Sequence, residues 1–119
     1  MRVAVYEDNL IWSSRLASSL RAMGHEAMVL RTADAPLPDG ATVAIVNLTS
    51  PTLDPKQVLG HIKRRVFTIG HGGHKELADL PSELKGACDL VTTNGTLSLR
   101  FEAVMSQVPG ANASLVSEA

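Results

Sequence analysis

The chain has 119 residues, 45% of them hydrophobic and 19% charged, with a formal net charge of -1. That supports one domain around one core and is too short for a two-domain enzyme. Eleven Lys and Arg against 12 Asp and Glu, with 3% aromatics, exclude both a phosphate-gripping surface and a base-stacking platform, so no direct nucleic-acid binding is expected.

Residues 3–6 form a short apolar run that stops abruptly at Glu7-Asp8-Asn9, the pattern of a buried parallel strand leaving its sheet. Leu10, Ile11, Leu16, Leu20 and Met23 then recur close to helical spacing, with Asp8 or Asn9 as N-cap and Gly24 as stop. Residues 27–30 read as a second strand. Residues 31–40 hold two prolines and several turn formers, so a loop or single turn is predicted where a helix would otherwise fit. The clearest buried strand is 42–48. Asp54-Pro55 then supplies an N-cap and a first-turn proline for a helix through Val58, Leu59 and Ile62. It ends in Lys63-Arg64-Arg65, cations suited to a helix C-terminus rather than an isolated nucleic-acid patch.

A fourth strand over 66–69 is predicted to give way to a flexible loop, Gly70-His71-Gly72-Gly73-His74. A short helix over 75–84 is disturbed by Pro81, a fifth strand covers 89–92, and Asn94-Gly95 makes a turn. The last helix spans 97–108, with Leu97, Phe101, Val104 and Val108 on one face. The domain is therefore residues 1–108, and 109–119 is expected to be a flexible tail. The single cysteine, Cys88, closes no internal disulfide, and Tyr6, Trp12 and Cys88 are read as packing residues. With no secretory pattern at the start and no apolar run near the ~18 residues of a membrane span, a cytoplasmic protein without membrane contact is expected.

Alternating strands and helices predict an α/β fold, a doubly wound, flavodoxin-like five-stranded parallel sheet of order 2-1-3-4-5 with its second helix shortened or missing. Such sheets bind ligands at the carboxyl ends of their strands. The residues arriving there are Glu7, Asp8, Asn47, Gly70 and Thr93.

Val5-Tyr6-Glu7-Asp8-Asn9 resembles the acidic pair ending the first strand of bacterial response-regulator receiver domains. Ile45-Val46-Asn47-Leu48-Thr49-Ser50-Pro51 is similar to the segment around their phospho-acceptor, and Gly86-Ala87-Cys88-Asp89-Leu90-Val91 to the one leading into their last strand. The resemblance covers about residues 2 to 108 and implies a CheY-like fold and a role in two-component signal transduction. It also implies a lost phosphorelay chemistry. The acceptor aspartate is replaced by Asn47, whose neutral carboxamide is a poor nucleophile beside a carboxylate. Thr93 stands where the family has a lysine, Asn94 where it has a proline, and Gly70 where it has the switch hydroxyl.

The expectation is thus an atypical receiver, a pseudo-receiver that is not an enzyme and is not phosphorylated at the usual site. It would act through a protein partner or as a homodimer, with Leu97, Arg100, Phe101 and Val104 on the last helix as the contact. No cofactor is expected beyond weak Mg²⁺ binding at Glu7 and Asp8. The alternative is a small metal- or ligand-binding protein using the Glu7/Asp8/Asn47 pocket and the His71-x-x-His74 loop, since imidazoles suit Zn, Ni or Cu.

Overall fold

Five apolar runs bounded by polar turns become the strands β1 (Arg2–Tyr6), β2 (Glu26–Leu30), β3 (Val43–Asn47), β4 (Phe67–Gly72) and β5 (Leu90–Thr93). They pair in parallel in the order β2-β1-β3-β4-β5. The computed structural model describes residues 1–110, so most of the expected tail falls outside the described residues. The order is that of the flavodoxin-like sheet predicted from the alternation of elements.

Strand periodicity splits the core in two. Val3 and Val5, Val43 and Ile45, and Ile69 join Leu16, Leu20, Leu97, Phe101, Val104 and Met105 on one face. Ala4 and Tyr6, Ala44 and Val46 join Leu48, Leu53, Val58, Leu59 and Ile62 on the other. The central strands β1 and β3 are therefore covered on both sides, which is why their sequences are nearly all apolar instead of alternating with polar residues.

The helices α1 (Leu10–Ala22) and α2 (Pro55–Ile62) start as their capping residues dictate. Asn9 Oδ1 accepts from the Trp12 N–H at 3.0 Å, and Asp54 Oδ1 from the Lys56 N–H at 3.0 Å. After α2 the chain turns through two left-handed residues, Lys63 (φ 48°) and Arg64 (φ 58°). The basic cluster serves its own fold. Arg65 donates to the carbonyls of Ile62 (3.2 Å) and His61 (2.6 Å), and Arg64 to that of Gly86 (2.9 Å).

Four expectations need correction. β4 runs through His71 to Gly72, so the predicted flexible loop is in large part sheet, with His71 opposite Asn47 and Thr92. The helix expected over 75–84 is two, α3 (His74–Asp79) and α4 (Ser82–Gly86), parted at Leu80-Pro81 because proline cannot continue the first. The last helix also divides, into α5 (Asn94–Leu99) and α6 (Phe101–Met105), with Arg100 at φ -127°, ψ 39° between them. Asn94-Gly95 is no turn; it is the first turn of α5, which Thr93 caps by accepting the Thr96 N–H at 3.1 Å.

The predicted loop over 31–40 contains no helix, as its prolines require. It does not leave the sheet bare, however. Ala33, Ala35 and Leu37 pack on the second core, Tyr6 Oη donates to the Ala35 carbonyl at 3.0 Å, and Arg2 donates to the Asp39 carbonyl at 2.9 Å. This strap covers the sheet face where the missing helix would otherwise lie. Tyr6→Phe keeps the ring and deletes one buried donor, so it should cost about 1 kcal/mol. Faster amide exchange confined to the strap, without loss of the sheet, is the expected hydrogen-exchange result; unchanged exchange there would show that the bond does not pin it.

Candidate functional site

The carboxyl ends of β1, β3 and β4 bring three polar side chains together on the first-core face. Glu7, one residue past β1, and His71 on β4 are both fully buried, and Asn47 ends β3 between them. Asn47 Nδ2 donates to Glu7 Oε1 at 3.1 Å and Oε2 at 2.9 Å, while Asn47 Oδ1 accepts from the Thr49 N–H at 3.0 Å. The backbone bond fixes which way the carboxamide faces. Glu7 Oε2 also accepts from the Asn9 N–H at 3.2 Å.

His71 closes the network. Its Nδ1 lies 2.7 Å from Asn94 Oδ1, and its Nε2 is 3.4 Å from Glu7 Oε1 with no hydrogen-bond partner among the described residues. A carboxylate oxygen and a carboxamide oxygen both only accept, so each ring nitrogen of His71 faces an acceptor. The Trp12 ring packs over this imidazole at a centroid distance of 6.0 Å. Burial pushes the Glu7 carboxyl up, but hydrogen bonds from His71, Asn47 and the Asn9 N–H, with the charge interaction with His71, outweigh it and hold the group below its ordinary value.

Asp8 faces outward and is engaged separately. Both its oxygens lie 2.9 Å from Ser50 Oγ, and Thr52 Oγ1 donates to it as well. Ser50 Oγ in turn accepts from the N–H groups of Thr52 (3.2 Å) and Leu53 (3.0 Å). Asp8 thereby anchors the β3–α2 loop.

Of the five residues expected at this edge, Glu7 and Asn47 are bonded to each other, and Asp8 stands beside them in its own network. Gly70 lies on the opposite face, where an added Cβ would stand 2.5 Å from Leu48 Cδ1 and 2.8 Å from Cys88 Sγ. No hydroxyl-bearing side chain fits there, and His71 occupies the level beside Asn47. Thr93 is committed to the cap of α5. The histidine pair does not share a site either, since His71 is enclosed while His74 is exposed at the start of α3. Among the described residues, no three His, Cys, Asp or Glu side chains are grouped to hold a metal ion. The expected interface also changes: Leu97, Phe101 and Val104 belong to the first core, and only Arg100 of that set is exposed.

Sequence reasoning missed Asn94 and the role of His71. The available signal was period two: Val3, Val5, Glu7 and Val43, Ile45, Asn47 share a face, and continuing β4 by two residues puts His71 there too. Above the network lies a cavity of about 370 Å³ lined by Asp8, Asn9, Trp12, Asn47, Thr49, Ser50, Pro51, Thr52 and Asn94. Among the described residues, no Lys or Arg lines it.

No protein-family model matches the sequence, and no curated protein matches it. Solved structures do match its fold. One is a streptococcal protein described as a redox sensor evolved from two-component response regulators, 10% identical with a TM-score of 0.75 over 99% of this chain and 55% of the other. NtrX from Brucella abortus matches both in complex with ADP and in a second crystal structure, 14% identical with TM-scores of 0.73 and 0.74, over 98% of this chain and 28% of NtrX. The chain thus spans about half and about a quarter of the length of these neighbours. Its fold is that of a response-regulator receiver domain, as the residues at the strand ends implied. Among the described residues no helix is long and apolar enough to cross a membrane.

Proposed function

We propose that the chain is a pseudo-receiver, a signalling domain that has given up phosphoryl transfer and works by association with a protein partner or a second copy of itself. The observation that carries this reading is the position of Asn47. Its carboxamide takes the level of the phospho-acceptor, donates both ways into Glu7 and accepts from the Thr49 backbone. No carboxylate there is free to attack phosphorus, no lysine stands by to pair with phosphoryl oxygens, and Asp8 is held by Ser50 and Thr52. The domain is therefore proposed to be no enzyme, to hold no resident metal and to work in the cytoplasm. Its contact surface is the outside of α5 and α6, where Leu99 is 87% exposed and Arg100 faces solvent.

The streptococcal neighbour is described as a redox sensor, but a thiol input does not suit this chain. Cys88 is its single cysteine, buried against Leu84, and burial with the neighbouring Asp89 pushes its thiol up to about 11 despite Arg64. A thiol so placed is inert at neutral pH.

The test is a titration of the native chain with Mg²⁺ and beryllofluoride, a phosphoryl mimic, followed by amide NMR. The resonances of Asp8, Asn47 and Thr93 should stay in place at millimolar Mg²⁺. Saturable movement of all three would show a working acceptor pocket and end the pseudo-receiver reading.

A further inference from the structure

The cavity at the sheet edge has the chemistry of a ligand site, and it is not the chemistry of a phosphate. We infer that it takes a small neutral polyol, with a monosaccharide as the type, which serves as the input to the pseudo-receiver proposed above and rests on that reading. Its volume of about 370 Å³ lies within the roughly 300–1,000 Å³ of small-molecule pockets. It also lies outside the carboxyl ends of β1 and β3, where open α/β sheets place their ligands.

Charge narrows the ligand class. Among the described residues the one acidic side chain in the wall is Asp8, and no Lys, Arg or His lines the cavity, so an anion finds no compensating charge. A divalent cation needs several oxygens at once, yet both Asp8 oxygens already accept hydroxyl hydrogens and Glu7 is enclosed beneath. What remains is a neutral molecule that hydrogen-bonds.

The open valences then specify its groups. Asn9 Oδ1 caps α1 and Asn94 Oδ1 faces His71, which leaves the Nδ2 donors of both without a partner among the described residues. The Asp8 carboxylate retains lone pairs for a further donor. Two carboxamide donors and one carboxylate acceptor around a small space match hydroxyls, each of which accepts from one wall and donates to another. Trp12 and Pro51 add apolar walls for the C–H face of a sugar ring.

The chain's single tryptophan lines the cavity, so its intrinsic fluorescence reads occupancy directly. The native chain should be titrated with glucose, galactose, mannose, ribose and myo-inositol, with glucose 6-phosphate as the anionic comparator, and followed by Trp12 fluorescence and the side-chain amide resonances of Asn9 and Asn94. At least one neutral compound should give saturable millimolar or tighter binding that moves both signals, with glucose 6-phosphate at least tenfold weaker than glucose. Asn9→Asp preserves a good N-cap oxygen and removes the donor, so the variant should fold as the native chain does and bind tenfold or more weakly. Silence with all five neutral compounds overturns the inference, as does equal binding by Asn9→Asp or a preference for the phosphate. Silence with the sugars leaves the pseudo-receiver reading standing, because that reading fails only if Mg²⁺ and beryllofluoride bind.

Discussion

Glu7→Gln should lower the stability of the domain by about 3 kcal/mol at neutral pH, the scale for breaking a buried charged network by changing one partner. The carboxylate now accepts from Asn47 Nδ2 and from the Asn9 N–H, and faces Nε2 of His71. Glutamine supplies one oxygen and turns an NH₂ group toward donors, leaving at least one buried donor unpaired. The pH dependence should change with it. Because the hydrogen bonds outweigh burial, the folded-state Glu7 pKa lies below its unfolded value. The unfolded chain then takes up that proton first. The stability that Glu7 contributes is complete above the ordinary carboxylate range, about pH 4.3, and is lost as pH falls through it toward the folded value. Urea unfolding between pH 7 and pH 3 should show the native chain losing stability more steeply with acid than Glu7→Gln. Parallel profiles would mean that Glu7 is not held ionised by this network.

Much of the fold was legible in the residues because local signals agreed with the global arrangement. Asn9 and Asp54 cap their helices, Pro36 and Pro38 prevent one, and the apolar stretches of β1 and β3 announce a sheet covered on both faces. Legibility failed where glycines and short helices are involved. Gly70 and Gly72 flank His71 and made a strand look like a loop, although both lack a side chain because Leu48, Cys88 and Thr49 occupy the space. Nothing in the stripe of Leu97, Phe101 and Val104 marks a break at Arg100. Apolar periodicity names a buried face without saying whether a core or a partner buries it; the resemblance implied a partner for those three residues, and the core buries them instead. At the site, Glu7, Asp8 and Asn47 were evident from the strand ends, while the tie from Glu7 through His71 to Asn94 depends on register across three strands.

Asn47→Asp, the change that restores the acceptor residue of the receiver family, should impair the domain rather than revive it. The carboxamide nitrogen sits 2.9 and 3.1 Å from the two Glu7 oxygens as a donor. An aspartate oxygen in its place removes both bonds and sets two carboxylates at hydrogen-bonding distance, where both cannot ionise cheaply. The pair should hold one proton with an apparent pKa above the ordinary carboxylate range, a property of the two groups together. An acid whose folded pKa is raised binds its proton more tightly folded than unfolded, so its penalty is absent below the unfolded value and grows as pH rises through the folded one. Asn47→Asp should therefore be destabilised by about 3 kcal/mol at pH 7 and recover on acidification toward pH 5, while the native chain over the same interval changes little. That slope is opposite in sign to the one Glu7 gives the native chain in acid. Millimolar Mg²⁺ should offset the repulsion in the variant, where three carboxylates now share one strand edge, and leave the native chain unmoved. Urea unfolding of both proteins from pH 4.5 to 7.5, with and without Mg²⁺, measures all of this. A variant as stable as the native chain at pH 7 would show that Asn47 does not donate into Glu7, and the geometric basis for a locked acceptor site would go with it.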